Sequence, residues 1–287
     1  MPKNILKTCC HNFTVVLSIT IPLGSAYAGN NAINPYNSSV PVCPVLNYHG
    51  LSTDESQLSD WVITPQKFES DIKGLIDKGY TPIFTSDLVN HIKNGAELPE
   101  KPVIIQFDDG YSSVYELAFP ILHKYNVKAE VYIITDYTKD VPFKHNTDTF
   151  LSWYQIKLMS DSGLMYIGLH GKNHEPIVSG ISSERIKSNL QSAWSQIDSR
   201  ISQQYHFYVY PNGLFNTNTI KAVTDADADI QFIWVWNVAN NIRQYNVMPR
   251  TTVTNSKTLL RLLTYIQQNL EKQNTLRPWA CPISHNF

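Results

Sequence analysis

Val103-Ile104-Ile105-Gln106-Phe107-Asp108-Asp109-Gly110 is the stretch on which the fold turns. A β-branched run of this kind reads as a buried strand, and two adjacent acids followed by glycine stand where it ends. Strand ends and the loops after them build the active sites of parallel sheets and barrels. Adjacent carboxylates leave a turn in different directions, so one can grip a cation while the other faces a substrate. Taken alone, the same residues also describe a solvated Asp-Gly turn.

Outward from this strand, short apolar runs alternate with helical patterns. Val42 to Tyr48, Tyr80 to Phe84, Pro102 to Phe107, Lys128 to Ile134, Met165 to Leu169, Phe207 to Tyr210 and Ile230 to Trp236 read as strands. Helices are expected from Pro65 to Gly79, Ser86 to Lys93, Ser112 to Tyr125, Trp153 to Ser162, Ser182 to Gln203, Asn216 to Ala226 and Asn255 to Leu270. The first has Thr64 as cap, Pro65 in its first turn, and Phe68, Ile72, Leu75 and Ile76 as the stripe that packs on a sheet. Strand and helix taking turns imply parallel strands with crossover helices, an α/β barrel or open sheet. No repeat or linker divides residues 41–287, which read as a single catalytic domain.

Composition narrows the function. Of 287 residues 43% are hydrophobic and 16% charged, with 6 Trp, 16 Tyr and 11 Phe, which excludes a disordered or collagen-like chain. The formal charge of -1 leaves no basic surplus for neutralising phosphates, so neither nucleic acid nor an anionic membrane is the expected partner. Residues 1–28 read as a secretory signal peptide: Lys3 and Lys7, the apolar run Phe13 to Leu23, then Ala26-Tyr27-Ala28 before the cut. That run is shorter than the roughly 20 residues a membrane span needs, and no later stretch approaches that length. The address is secreted or periplasmic, and residues 29–40 follow as a flexible leader. Cys9 and Cys10 depart with the signal, leaving Cys43 and Cys281 to form either a disulfide between the two ends of the domain or two separate buried thiols.

A second constellation adds chemistry. Tyr166-Ile167-Gly168-Leu169-His170-Gly171-Lys172-Asn173-His174 is again a strand running into polar residues. Two His four apart on a turn of helix put both imidazoles on one face. With an Asp from a neighbouring strand end they make a two-His, one-carboxylate set, which leaves positions open for water and substrate.

Phe107-Asp108-Asp109-Gly110, then His170 and His174, then Tyr210-Pro211-Asn212-Gly213, in that order, resemble the polysaccharide deacetylases of carbohydrate esterase family 4, the NodB-homology fold. The resemblance covers roughly Val42 to Val253 and implies a distorted (β/α)7-type barrel. It implies Asp108 as general base for the attacking water, and Asp109, His170 and His174 as ligands of one divalent metal ion. Tyr210, Pro211, Asn212 and Gly213 would shape the substrate groove, with the Asn212 backbone N–H on the oxyanion. Zinc is the first choice of metal, though two imidazoles and a carboxylate also accept nickel, cobalt or iron.

Asn47-Tyr48-His49-Gly50, Ile63 to Phe68 and Lys78 to Ile83 further resemble the biofilm poly-N-acetylglucosamine deacetylases. In that subgroup the general acid comes from the first strand, here His49. The implied substrate is an acetylated polysaccharide of N-acetylhexosamine. Val209 stands where many members carry an Arg that orients the base, and Arg250, expected after a late strand, is the substitute cation. Gly171 replaces the usual Ser or Thr, and Asn212 an aromatic residue. Trp61, Trp153, Trp234 and above all Trp236 are candidate sugar platforms. Peptidoglycan, chitin or an O-acetylated glycan are alternative substrates, a non-catalytic polysaccharide-binding barrel is the alternative class, and the absence of His-Glu-x-x-His disfavours a metallopeptidase.

Overall fold

Pro102–Phe107 is a strand buried at all six positions, and the rest of the fold is arranged around it. The computed structural model describes residues 43–177, 180–234, 246–264 and 268. In chain order the elements are β1 (Val45–Tyr48), β2 (Gly50–Leu51), β3 (Val62–Ile63), α1 (Pro65–Asp77), β4 (Thr81–Pro82), α2 (Thr85–Asn94) and β5 (Pro102–Phe107). Then come α3 (Phe119–Tyr125), β6 (Ala129–Ile133), β7 (Phe143–His145), β8 (Asp148–Phe150), α4 (Trp153–Asp161), β9 (Met165–Leu169) and α5 (Ser183–Asp198). β10 (Phe207–Val209), α6 (Thr217–Thr224), β11 (Ile230–Trp234) and β12 (Val247–Thr252) complete the described set.

β1 pairs in parallel with β5 on one side and with β12 on the other. The order β1-β5-β6-β9-β10-β11-β12 thus returns on itself and closes a seven-stranded parallel barrel, with β4 added outside β5. This is the expected (β/α)7-type architecture. Alternation along the strands sends Val45, Ile104, Tyr132, Phe207 and Phe232 to one apolar cluster inside the barrel. The opposite faces send Leu46, Tyr48, Ile105, Phe107 and Ile133 outward into a second cluster shared with Phe68, Ile72 and Leu75 of α1. Thr64 caps that helix, its hydroxyl accepting from the Lys67 N–H at 3.1 Å, with Pro65 in the first turn.

Tyr132 on β6 lies directly beside Gly168, its register partner on the neighbouring strand β9. A Cβ at position 168 would come within 2.3 Å of the Tyr132 ring, so only glycine admits that side chain.

Several expectations shift. The helix expected from Ser112 begins as a π-helical turn, Val114–Ala118, before α3. Pro120 has no N–H to give the Glu116 carbonyl, and the Phe119 N–H reaches back to the Val114 carbonyl instead. α5 ends at Asp198 rather than Gln203, after which Ile201 turns into the core. β12 and the pairs β2–β3 and β7–β8 are additions, and the last described helical stretch begins at 259 rather than 255. Among the described residues no helix is long and apolar enough to cross a membrane. The signal segment, the leader, Trp236 and Cys281 lie outside the described residues, so the Cys43–Cys281 pairing does too.

Candidate active site

The rim of the barrel at the strand C-termini gathers residues from β1, β5, β9 and β12. Asp108 and Asp109 follow β5, and the chain turns sharply there: Asp109 has φ 68° and Gly110 φ 74°. The turn is pinned by the Leu151 N–H donating to the Gly110 carbonyl at 2.8 Å. Asp109 thereby faces the loop after β9, and its Oδ1 lies 3.3 Å from Nε2 of His170 and 3.3 Å from Nε2 of His174.

His170 and His174 are not on a helical turn, as their spacing suggested. They sit in an irregular loop in which Gly171 (φ 84°) and His174 (φ 63°) both take left-handed backbone. A side chain at 171 would also press on Pro211, with a Cβ 3.3 Å from its ring, so the Gly171 departure keeps two loops in close apposition. The His170 Nδ1 lies 3.0 Å from the Val209 carbonyl oxygen, a contact that fixes the ring with Nε2 turned inward. Such an outer hydrogen bond is the usual support of a metal-ligating imidazole. One atom each from Asp109, His170 and His174 falls within 4.8 Å of the others. This donor set, with its outer support, fits a divalent ion. Tyr111, which the sequence reading missed, stands near Asp109: burial first, then the charge of that carboxylate, pushes its hydroxyl well up.

Arg250 stands inside β12, not after a strand, opposite Trp234 in the register. Pro249 and Arg250 interrupt the apolar pattern of that strand, which is why it escaped notice. Arg250 donates to both oxygens of Asp108, at 2.6 and 2.8 Å, and both residues are 3% exposed. Burial opposes the Asp108 charge, but the guanidinium and His170 outweigh it and hold the carboxyl below the usual range. His49 leaves the end of β1, and its Nε2 lies 3.9 Å from Asp108 Oδ2. Burial lowers its pKa despite Asp108 and Asp109, and the Trp61 ring covers it at 4.8 Å.

Other candidates fall elsewhere. Tyr210 is core: it is 1% exposed and its hydroxyl donates to Gln231, whereas Pro211 packs against Gly171 of the His170 loop. Asn212 takes a left-handed turn at φ 56°. Trp153 is buried under Arg200, whereas Trp61 is 43% exposed at the rim.

Fold and site define a parallel barrel with a three-ligand rim and an Arg-held acid beside it. Residues 95–230 match the family model of the polysaccharide deacetylases. The chain is 30% identical over 179 residues to YxkH of Bacillus subtilis, for which polysaccharide deacetylase is a provisional name, covering 62% of this chain and 60% of that one. It is 28% identical to the poly-beta-1,6-N-acetyl-D-glucosamine N-deacetylase of Staphylococcus epidermidis, covering 63% of this chain and 64% of that one. The chain thus spans less than two thirds of the length of these relatives. Among solved structures, the Streptococcus pyogenes deacetylase PplD, in complex with acetate, shares the fold with a TM-score of 0.68 at 22% identity. That match covers 79% of this chain and 99% of PplD.

Proposed function

We propose that the chain is a secreted, metal-dependent deacetylase that hydrolyses N-acetyl groups of a poly-N-acetylglucosamine-like polymer to free amine and acetate. The observation that carries this reading is the convergence of Asp109, His170 and His174 beside a separately held acid, Asp108. The likeness to the staphylococcal deacetylase supports the polymer, and the signal-like residues 1–28 support secretion.

In this reading Asp109, His170 and His174 hold one divalent ion, zinc by preference, which when bound supplies a Lewis acid and lowers the pKa of water. Asp108 takes the proton of the attacking water. Arg250 keeps that carboxylate ionised and fixes its plane, the role for which Val209 leaves no Arg. The Asn212 backbone N–H holds the oxyanion as the acetyl carbon becomes tetrahedral. His49, once it takes up a proton at Nε2, gives it to the amine nitrogen, so the C–N bond breaks with acetate and a glucosamine unit as products. Trp61, partly open beside His49, is the sugar-facing ring we favour.

Acetate release from N-acetylglucosamine oligomers, peptidoglycan and acetylated xylan, each with zinc or cobalt, tests the proposal. Release from the first substrate supports it; release only from another assigns a different polymer. Metal-independent sugar binding without release would make the chain a binding barrel.

A further inference from the structure

Below Asp108, inside the barrel, a line of polar side chains runs where an apolar filling is usual. Gln106, Glu130 and Tyr132 are each 0% exposed. Arg250 Nη1, besides holding Asp108, donates to Gln106 Oε1 at 3.3 Å. Gln106 Nε2 then donates to Glu130 Oε2 at 2.9 Å and to the Tyr132 hydroxyl at 3.0 Å. Glu130 is anchored in turn: it accepts from the Tyr132 hydroxyl at 2.8 Å, from the Thr85 N–H at 2.5 Å and from the Thr85 hydroxyl at 3.0 Å.

The amide of Gln106 cannot be turned over in this line. An arginine only donates, so it needs the amide oxygen, and the other end must give a proton to Glu130. Glu130 accepts there, with three further donors already placed on it. Arg250 has little else to steady it, since its Nε finds no acceptor among the described residues. The tilt of the guanidinium sets the position of Asp108 Oδ2, the oxygen that receives Nη2 and lies toward His49.

We infer that Gln106, locked by Glu130, is a positioning residue that holds Arg250 square to Asp108. The inference rests on the reading of Asp108 as the base. A misplacement of about 1 Å at such a group slows a reaction by about 100-fold. A hydrophobic residue at 106 would fill the same space and keep the barrel packed, but it would free the guanidinium to pivot.

The test uses the full chain, wild type and Q106L, with Q106M as a second variant should Leu not fold. Arginine side-chain NMR reads the guanidinium directly. In wild type the Arg250 protons should be resolved and slow to exchange, and Q106L should speed that exchange about 10-fold or more. Unchanged exchange overturns the inference whether or not the enzyme turns over. In the kinetic arm Q106L should lower kcat about 10-fold with KM and bound metal unaltered, yet cost under about 2-fold in an R250K background. Equal losses in both backgrounds would assign Gln106 a merely structural part and overturn it. Were the wild type to release no acetate from any glycan, the deacetylase reading would fail while the exchange arm still decided the role of Gln106.

Discussion

Arg250 grips Asp108 from 142 residues away in sequence, through two hydrogen bonds of 2.6 and 2.8 Å. Both partners are buried, so neither charge has water to fall back on. Breaking a buried pair by removing one side typically costs about 3–5 kcal/mol. R250M should therefore be less stable in urea melts by about 3–5 kcal/mol and lose most of its acetate release. A variant as stable and active as wild type would show that the pair matters to neither.

His49 should be separable from the metal site. H49A is expected to lower kcat by about 100-fold or more, the usual worth of a positioned acid. Its metal content should equal that of wild type, since His49 is not among the three convergent ligands. An unaltered kcat would point to another proton donor.

Glu130 links stability to pH. Burial outweighs the hydrogen bonds it accepts and raises its carboxyl above the ordinary range. The folded chain therefore binds this proton more readily than the unfolded chain. Its contribution is fullest below the ordinary carboxylate value and is lost as pH rises through the raised one. E130Q does not titrate there, so the stability of wild type minus that of E130Q should fall as pH rises above the ordinary carboxylate range. Urea melts at several pH values check this, and a difference that grows with pH contradicts it.

Gly168 should tolerate no side chain. In G168A the new methyl would meet the Tyr132 ring and force the buried tyrosine aside. Overpacking of this kind costs about 1–3 kcal/mol. A thermal midpoint equal to that of wild type would mean the ring moves freely.

Much of this was legible in the sequence, and the limits are physical. Pro102–Phe107 and Met165–Leu169 are strands with the expected bounds, because their apolar runs end in polar residues. The acids and imidazoles after them identified the rim for the same reason. β12 stayed hidden because Pro249 and Arg250 break its apolar run. The spacing of His170 and His174 suggested a helix, since the two left-handed residues that bend the loop differently leave no periodic mark. Tyr210 looked like groove lining, but its ring turns into the core to reach Gln231. Gln106 and Glu130 each interrupt an apolar strand, but a lone polar residue in a strand carries no mark of its partner, and the sequence reading passed over both. The link from Arg250 through Gln106 to Glu130 depends on barrel closure, which brings β5 and β12 to either side of β1.

The most direct measurement is a zinc titration of the metal-stripped protein, with bound metal and acetate release from N-acetylglucosamine oligomers followed together. Both should rise and level off at one ion per chain, with D108N binding the ion but releasing no acetate and H170A binding none. Full acetate release without metal, or no stoichiometric uptake by the wild type, would contradict the three-ligand hydrolase.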